Sequence, residues 1–130
     1  MKWSFNGDTP IYAQLMDQLK AGIVTGAFSP GERLPSVREL AAEAGVNPNT
    51  MQRSLSELER EGLVGSLRTV GRFVTEDRAV IDSTRQELAG RHIRSFLNAM
   101  QALGYGPEEV SALLERDRNR RGDTNGSSGM

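Results

Sequence analysis

The chain contains no cysteine and only one histidine, which argues against cysteine chemistry and against a histidine-based metal site. Without cysteine there can be neither disulfide bonds nor thiolate nucleophiles. His92 lies near arginines and has no second histidine at ligand spacing, whereas metal sites usually need several soft or imidazole donors. The carboxylates form no acid–base constellation with a nucleophile or a glycine-rich phosphate loop. The sequence therefore predicts no enzymatic activity, no metal and no cofactor.

The chain also lacks long apolar runs and an excess of basic charge. No apolar stretch approaches the length of a membrane span or a signal peptide, so we expect a soluble, cytoplasmic protein without a membrane partner. The 130 residues carry 16 basic and 17 acidic side chains, which leaves a net charge of −1. This balance is not typical of a nonspecific nucleic-acid binder. A weakly basic patch on such a protein predicts DNA binding that depends on two half-sites together.

The range 35–63 has the punctuation of two short helices joined by a sharp turn. Ser36 followed three positions later by Glu39 is a capping box, in which the two side chains satisfy backbone donors of the first helical turn. Gly45 stands where a left-handed residue ends a helix. Asn47 is a good N-cap for the next helix, and the proline after it suits the first helical position. This is the layout of a DNA-reading helix-turn-helix.

The second of these helices separates an apolar stripe from a polar face. Met51, Leu55 and Leu58 recur at helical spacing and are expected in the core. Arginine can pair with guanine, and asparagine or glutamine with adenine, through two hydrogen bonds worth roughly 1–3 kcal/mol of discrimination. The alternative is that the polar residues only cap the helix or form solvated surface. The predicted base-reading residues are Asn47, Asn49, Thr50, Gln52 and Arg53.

Four runs occur in one order along the N-terminal part of the chain: Pro10–Tyr12, Gly26–Ala41, Gly45–Thr50 and Glu57–Leu63. In this combination they resemble the N-terminal domain of GntR-family bacterial transcription regulators. The resemblance implies a mainly α, winged helix-turn-helix domain, with three helices and a two-stranded β wing that reaches the minor groove. It also implies that Arg38 contacts a phosphate or a base, and that residues 47–53 enter the major groove.

The wing is predicted from two short β-rich runs, residues 63–67 and 72–75, joined by a four-residue turn. GntR relatives usually carry paired glycines and basic residues at the tip of this turn. Here Thr69 and Val70 stand where a glycine and a lysine would be expected, so Gly71 is left to supply easy left-handed geometry. This departure weakens the expectation that the tip enters a minor groove closely.

Two arginines, Arg68 and Arg72, flank the wing tip and are candidates for phosphate contacts. The alternative is that they are simply exposed on a hairpin, as arginine commonly is. The acidic residues of the predicted reading helix lie late in the helix, away from its N-terminus. The arginines of the first domain could therefore converge on one side as a weakly basic patch. The predicted DNA-binding set is completed by Arg33, Ser36, Arg38, Arg68, Thr69, Gly71 and Arg72.

The residues after the wing predict a hairpin of two helices, the first over 79–103 and the second beginning at Pro107. Such a hairpin cannot bury both of its apolar faces alone, because a core needs layers packed on every hydrophobic side. Either two copies associate, most simply as a two-fold dimer, or the hairpin packs back on its own winged domain. The predicted dimer-interface residues are Leu88, Ile93, Phe96, Leu97, Met100, Leu103, Val110, Leu113 and Leu114.

The expected organisation is a winged helix-turn-helix domain at residues 1–76, a helical dimerisation region at 77–117 and a disordered tail at 118–130. The tail is rich in arginine, glycine and serine and has too little apolar content to pack. A second half this short resembles the YtrA subfamily of GntR regulators. That resemblance implies a homodimer that represses genes, often those of neighbouring transporters.

A homodimer predicts a double-stranded DNA operator that is nearly palindromic, with two reading helices about one DNA turn apart, roughly 34 Å, or a multiple of it. A small-molecule effector, if there is one, is expected at the dimer interface or between the two halves, since the sequence indicates no large ligand cavity. The alternative function is a winged helix that serves as a protein-interaction or assembly module and never reads DNA.

Overall fold

The computed structural model describes the backbone of residues 1–129 and the side chains of residues 1–122. Over these residues the chain forms three helices, a two-stranded antiparallel hairpin and two further helices, which confirms the predicted fold class. The elements are α1 (Ile11–Thr25), α2 (Val37–Ala44), α3 (Pro48–Arg60), β1 (Val64–Leu67), β2 (Gly71–Val74), α4 (Arg78–Ala102) and α5 (Pro107–Gly129). No helix in this part of the chain is both long and apolar enough to cross a membrane.

The turn between α2 and α3 is fixed by the local hydrogen bonds that the sequence predicts. The Ser36 hydroxyl accepts the Glu39 amide at 3.1 Å, and the Glu39 carboxylate accepts the Ser36 amide at 3.0 Å. Gly45 ends α2 in the left-handed region, with φ 72°. The side-chain oxygen of Asn47 then accepts the Asn49 amide at 2.7 Å and begins α3. The predicted helix-turn-helix, including the residues that cap its two helices, is therefore confirmed.

The core of the first three helices is mainly aliphatic. The predicted stripe of α3 is confirmed, since Met51, Leu55 and Leu58 are at most 1% exposed. They meet the apolar faces of α1 and α2 and the first residues of the wing. Burial of each such side chain stabilises the fold by roughly 1.5–3 kcal/mol relative to its exposed state. This packing holds α3 so that its remaining face is turned outward.

The wing is anchored to the segment that precedes α2. β1 and β2 pair with Val64 opposite Val74 and Leu67 opposite Gly71. The Leu34 amide donates to the Arg72 carbonyl at 2.9 Å, and the Val74 amide donates to the Glu32 carbonyl at 2.9 Å. The chain before α2 thus lies along β2 almost as a third strand. The start of α2 and the wing are consequently held beside each other.

Packing divides the described chain into two compact units, Met1–Leu88 and the residues from Ala89 onward, with the division inside α4. The first unit therefore extends beyond the predicted boundary at residue 76. Ile81, Thr84 and Leu88 on the first turns of α4 are buried, and Leu88 belongs to the core of this unit. The assignment of Leu88 to a dimer interface is thereby corrected, because the same apolar spacing serves burial within the chain.

A buried lysine ties three helices of the first unit together. Lys20 on α1 is 7% exposed, and its Nζ lies 2.8 Å from the carboxylate of Glu61 and 3.5 Å from that of Glu87. Burial by itself lowers the pKa of Lys20, but the hydrogen bonds and charges of the two glutamates outweigh it and raise that pKa above its ordinary value. Lys20 therefore stays charged and links α1 to the end of α3 and to α4.

In the second unit, α4 and α5 are joined by a tight turn at Gly104, whose φ is 93°. Val110 is 3% exposed, so this predicted interface residue is instead buried within its own unit. Residues 118–122 are helical rather than disordered, with Arg118 and Arg121 ion-paired to acidic residues one turn earlier in α5. The rest of the predicted tail, residues 123–130, lies outside the residues whose side chains are described.

Candidate nucleic-acid interface

The predicted base-reading residues lie together at the start of α3. Asn47, Asn49, Gln52 and Arg53 are exposed, and Thr50 is half-buried. The oxygen of Asn47 is occupied by the helix cap. The Gln52 amide donates to Ser56 Oγ on the next turn at 3.1 Å. The helix N-terminus adds a partial positive charge and unpaired amides, which suit phosphate.

Arg53 has a partner that the sequence did not indicate. Its guanidinium carbon lies 3.9 Å from the ring centroid of Tyr12, near the start of α1. This distance is well within the range of a cation–π contact. Tyr12 itself is partly buried against the core. The only signal for it in the sequence is its place in the run Pro10–Tyr12.

A groove of about 620 Å³ lies between the start of α2 and β2, and it brings several predicted residues together. Arg33, Ser36, Gly71 and Arg72 line it, together with the capping residue Glu39. Hydrogen bonds from the backbone amide and hydroxyl of Ser36 lower the pKa of Glu39, and the charge of Arg33 adds to this effect. The Ser36 hydroxyl is therefore already engaged in the cap, while Arg33 remains exposed. Arg38, on the first turn of α2, is exposed as well.

The wing is clamped to α3 by one carboxylate. Glu59 on α3 accepts hydrogen bonds from Ser66 Oγ at 2.6 Å and from Arg72 Nε at 2.5 Å, and so holds both strands. Only 22% of the Arg72 side chain is exposed. Arg72, predicted to contact DNA, is thus mainly a wing anchor, whereas Arg68 is exposed at the tip. The hydrogen bonds from Ser66 and Arg72 lower the pKa of Glu59 below its ordinary value.

Loss of the clamp is expected to destabilise the fold in a pH-dependent way. Glu59→Gln keeps the size of the side chain but removes its charge, and should lower the free energy of unfolding by about 0.5–1.5 kcal/mol at pH 7, after discounting for solvent screening. Because the folded-state pKa of Glu59 is lowered, this stability is present above the ordinary glutamate pKa, about 4.3, and is lost as the pH falls through the folded value. Denaturant unfolding at pH 7 and pH 3 measures the difference.

Glu57→Gln is the matched control for the clamp, because Glu57 lies on the same helix and forms an ion pair with the well-exposed Arg60 at 3.3 Å. Its effect should stay below about 0.5 kcal/mol at either pH. Equal effects of the two substitutions at pH 7, or an effect of Glu59→Gln that persists undiminished at pH 3, would show that Glu59 does not act as a charged clamp.

The wing tip is strained at Thr69. The Val70 amide donates to the Leu67 carbonyl at 3.1 Å and closes the turn, in which Thr69 has φ 67°. The sequence predicted positive φ at Gly71, and Gly71 does have φ 131°. It did not predict positive φ at Thr69, which the turn also requires. A β-branched side chain at positive φ is a genuine outlier, and left-handed backbone costs roughly 1–2 kcal/mol for residues with a Cβ.

Thr69→Gly is expected to raise the free energy of unfolding by about 0.5–1 kcal/mol, since relief of the strain exceeds the entropy cost of glycine. Thr69→Ala is the control, because it removes the branch but keeps the Cβ that causes the strain. The denaturant midpoints of the native protein, Thr69→Gly and Thr69→Ala measure whether the strain is present. A glycine variant no more stable than the alanine variant would mean that the turn is not strained at this residue.

Comparisons with known proteins agree with this architecture. The family model for bacterial regulatory proteins of the GntR family matches residues 11–74. The chain is 40% identical over 106 residues to the HTH-type transcriptional regulator YhcF of Bacillus subtilis, a match that covers 82% of this chain and 88% of that relative. It is 46% identical over 69 residues to the HTH-type transcriptional repressor YtrA of the same organism, which covers 53% of each chain. The first of these matches reaches well past the wing.

Solved structures give the same result. A GntR family transcriptional regulator from Listeria monocytogenes superposes with a TM-score of 0.77 at 35% identity, over 86% of this chain and 98% of that one. The DNA-binding domain of AraR, crystallised in complex with its operator ORX1, superposes with a TM-score of 0.52 at 28% identity, over 58% of this chain and 96% of that one. The second match covers little more than the winged half.

Proposed function

This chain belongs to the GntR family of bacterial regulatory proteins, and from that premise we propose that it is a sequence-specific DNA-binding repressor that acts as a homodimer. The observation that carries the proposal is the exposed polar face at the start of α3, whose opposite face is buried in the core. An interaction module would be free to carry apolar anchors at this place. Instead the exposed residues there are Asn49, Gln52 and Arg53, whose side chains are of the types that can pair with base edges.

The arrangement of charge supports a DNA-facing side of the first unit. Arg33, Arg38, Arg53 and Arg68 are exposed. The acidic residues at the end of α3 are ion-paired: Glu57 with Arg60, Glu59 with Arg72 of the wing, and Glu61, directly after the helix, with Lys20. A net charge of −1 therefore does not prevent a locally basic surface. The AraR DNA-binding domain has a similar fold and was crystallised on its operator, which supports DNA binding by the first unit of this chain.

Homodimerisation is supported by the apolar surface that the second unit leaves uncovered. Ile93 is 57% exposed, Leu103 72% and Leu114 51%, and Phe96 and Leu97 are also exposed. Met100 and Leu113 are half-buried. A two-helix unit with this much exposed apolar surface favours association with a second copy, because soluble monomers rarely expose large contiguous apolar patches. The proposed interface comprises these seven residues, without Leu88 and Val110.

A two-fold dimer would bind a nearly palindromic operator whose half-sites are one or more helical turns apart. The similarity to the repressor YtrA supports repression as the outcome. We propose a transporter operon as the target, as the resemblance to the YtrA subfamily implies. A small-molecule effector, if one regulates the protein, would bind at the dimer interface.

The test is a selection of genomic fragments by the purified protein at defined, moderate salt. A specific regulator should enrich a few fragments that share an inverted repeat, with an affinity at least about 10³-fold above that for random DNA. The control is the same selection with the Arg38→Ala/Arg53→Ala variant, which should enrich nothing. Retention of all fragments alike would contradict sequence-specific reading, and no retention at all would favour the interaction module.

A further inference from the structure

We propose that Tyr12 is a positioning residue for DNA reading, which holds the Arg53 guanidinium so that it can pair with a guanine of the operator. The proposal rests on the proposed function, because it assigns a role within the same DNA-facing surface. Tyr12 lies on α1, outside the helix-turn-helix. Its part in recognition would be to fix the direction of an arginine on α3.

The geometry suits this role. The Arg53 guanidinium carbon lies 3.9 Å from the centre of the Tyr12 ring, so the cation stands over the face of the ring. Guanidinium donors all lie in the plane of the group and point outward from its edge. A planar cation that rests on a ring can therefore still donate two hydrogen bonds along its edge. Those are the bonds that recognise guanine O6 and N7.

The ring itself is held firmly, whereas the arginine is not. Tyr12 is packed against the hydrophobic core, one turn before the buried residues Leu15 and Met16 on the same helix. Arg53 lies on the exposed face of α3. A long arginine side chain loses many rotamers when it is fixed on DNA, and contact with a rigid ring removes part of that loss beforehand. Tyr12 would thus preorganise the reader before the DNA arrives.

Gln52, the neighbouring reader, provides the internal contrast. Its amide donates a hydrogen bond to Ser56 Oγ on the same helix, so its side chain is directed by a partner other than Tyr12. A change at Tyr12 should therefore affect what Arg53 reads and leave the reading by Gln52 unchanged. An effect of Tyr12 through the general shape of α1 would instead affect both residues.

The experiment is a double-mutant cycle on operator binding by the full chain, with Tyr12→Leu, Arg53→Ala and the double variant. We expect Tyr12→Leu to weaken binding about two- to fivefold and to relax discrimination at the one operator guanine that Arg53 reads. In the Arg53→Ala background the same substitution should have no further effect. Tyr12→Phe, which keeps the ring, should bind within about twofold of the native protein.

The same cycle with Gln52→Ala in place of Arg53→Ala is the matched control and should be additive. Additive effects of Tyr12→Leu and Arg53→Ala, or a phenylalanine variant as weak as the leucine variant, would overturn the inference. A second readout needs no DNA: ring-current shifts of the Arg53 side-chain protons should be present in the native protein and in Tyr12→Phe and absent in Tyr12→Leu. Their absence from the native protein would also overturn it.

These results separate the inference from the function on which it rests. A native protein that binds no operator while its Arg53 protons show the ring-current shift would contradict the proposed function and leave only a surface stacking contact. A native protein that binds its operator with additive effects at the two positions would keep the proposed function and remove Tyr12 from DNA reading.

Discussion

Alanine at both Arg38 and Arg53 is expected to lower operator affinity by at least about 100-fold while leaving the fold and the dimer intact. A good base pairing contributes roughly 1–3 kcal/mol, and a two-fold dimer loses each contact twice. Both side chains are exposed, so their removal should lower the free energy of unfolding by no more than about 1 kcal/mol, mainly through the lost contact of Arg53 with Tyr12. Binding titrations with the selected operator, alongside thermal unfolding, measure the two effects separately.

The single variants should differ in kind. Arg38 lies on the first turn of α2. If Arg38 contacts a phosphate, its replacement by alanine should reduce the slope of log K against log salt concentration by about one unit per lost contact. Loss of Arg53 should relax discrimination at one operator position. Arg60→Ala is the matched control, since Arg60 lies on the same helix, late in α3, and its side chain is 80% exposed. If the double variant binds as well as the control, α3 is not the reading helix.

Glutamate at Ile93 and Phe96 is expected to convert the protein to a monomer and to lower affinity for a complete operator by about 10²- to 10⁴-fold. Linking two binding modules makes the second binding event intramolecular, and that gain disappears when the modules separate. Both side chains are exposed on α4, so the substitutions should not empty the core of the chain. Sedimentation equilibrium gives the oligomeric state, and titrations with whole and half operators give the affinities.

The double variant Ser95→Glu/Asn98→Glu is the matched control for the dimer, because it adds the same two charges at exposed polar positions on the same helix. It should remain a dimer with native affinity. The monomeric variant should bind a single half-site as the native protein does, since its reading surface is untouched. A variant that stays dimeric, or a monomer that binds the whole operator with native affinity, would show that these residues do not form the functional interface.

Local chemistry made the helix-turn-helix predictable from the sequence. The Ser36–Glu39 capping box, the left-handed Gly45 and the Asn47 cap each depend on residues within one turn of each other. Their geometry follows from the identity of a few neighbours and requires no knowledge of the tertiary fold. The apolar stripe of α3 was predictable for the same reason. The orientation of the reading face followed from these two signals together.

Contacts between separate elements were not predictable in this way. Glu59 looked like an ordinary acidic residue late in the reading helix, because its bonds to Ser66 and Arg72 exist only once the wing folds back on α3. The contact of Arg53 with the Tyr12 ring likewise depends on how α1 packs against α3. Sequence identifies the polar surface residues, whereas packing decides which are free and which are anchors.

The apolar stripe of α4 shows a second limit. Helical spacing indicates that a residue is buried but not by which partner, so Leu88 was assigned to a dimer although it completes the core of the first unit. Val110 was misassigned for the same reason. The conformation of Thr69 was missed because propensity favours glycine at such a turn, and the closure of the hairpin overrides that preference.

The most direct test of a dimeric operator reader is hydroxyl-radical footprinting of the native protein on a selected operator, across a protein titration at fixed, moderate salt. We expect two protected half-sites, related by an inverted repeat and separated by about 34 Å or a multiple of it, that become protected at the same protein concentration. Two results would contradict a dimer that reads DNA through two copies of α3. One is protection of a single half-site that saturates by itself, and the other is continuous protection along the DNA without an inverted repeat.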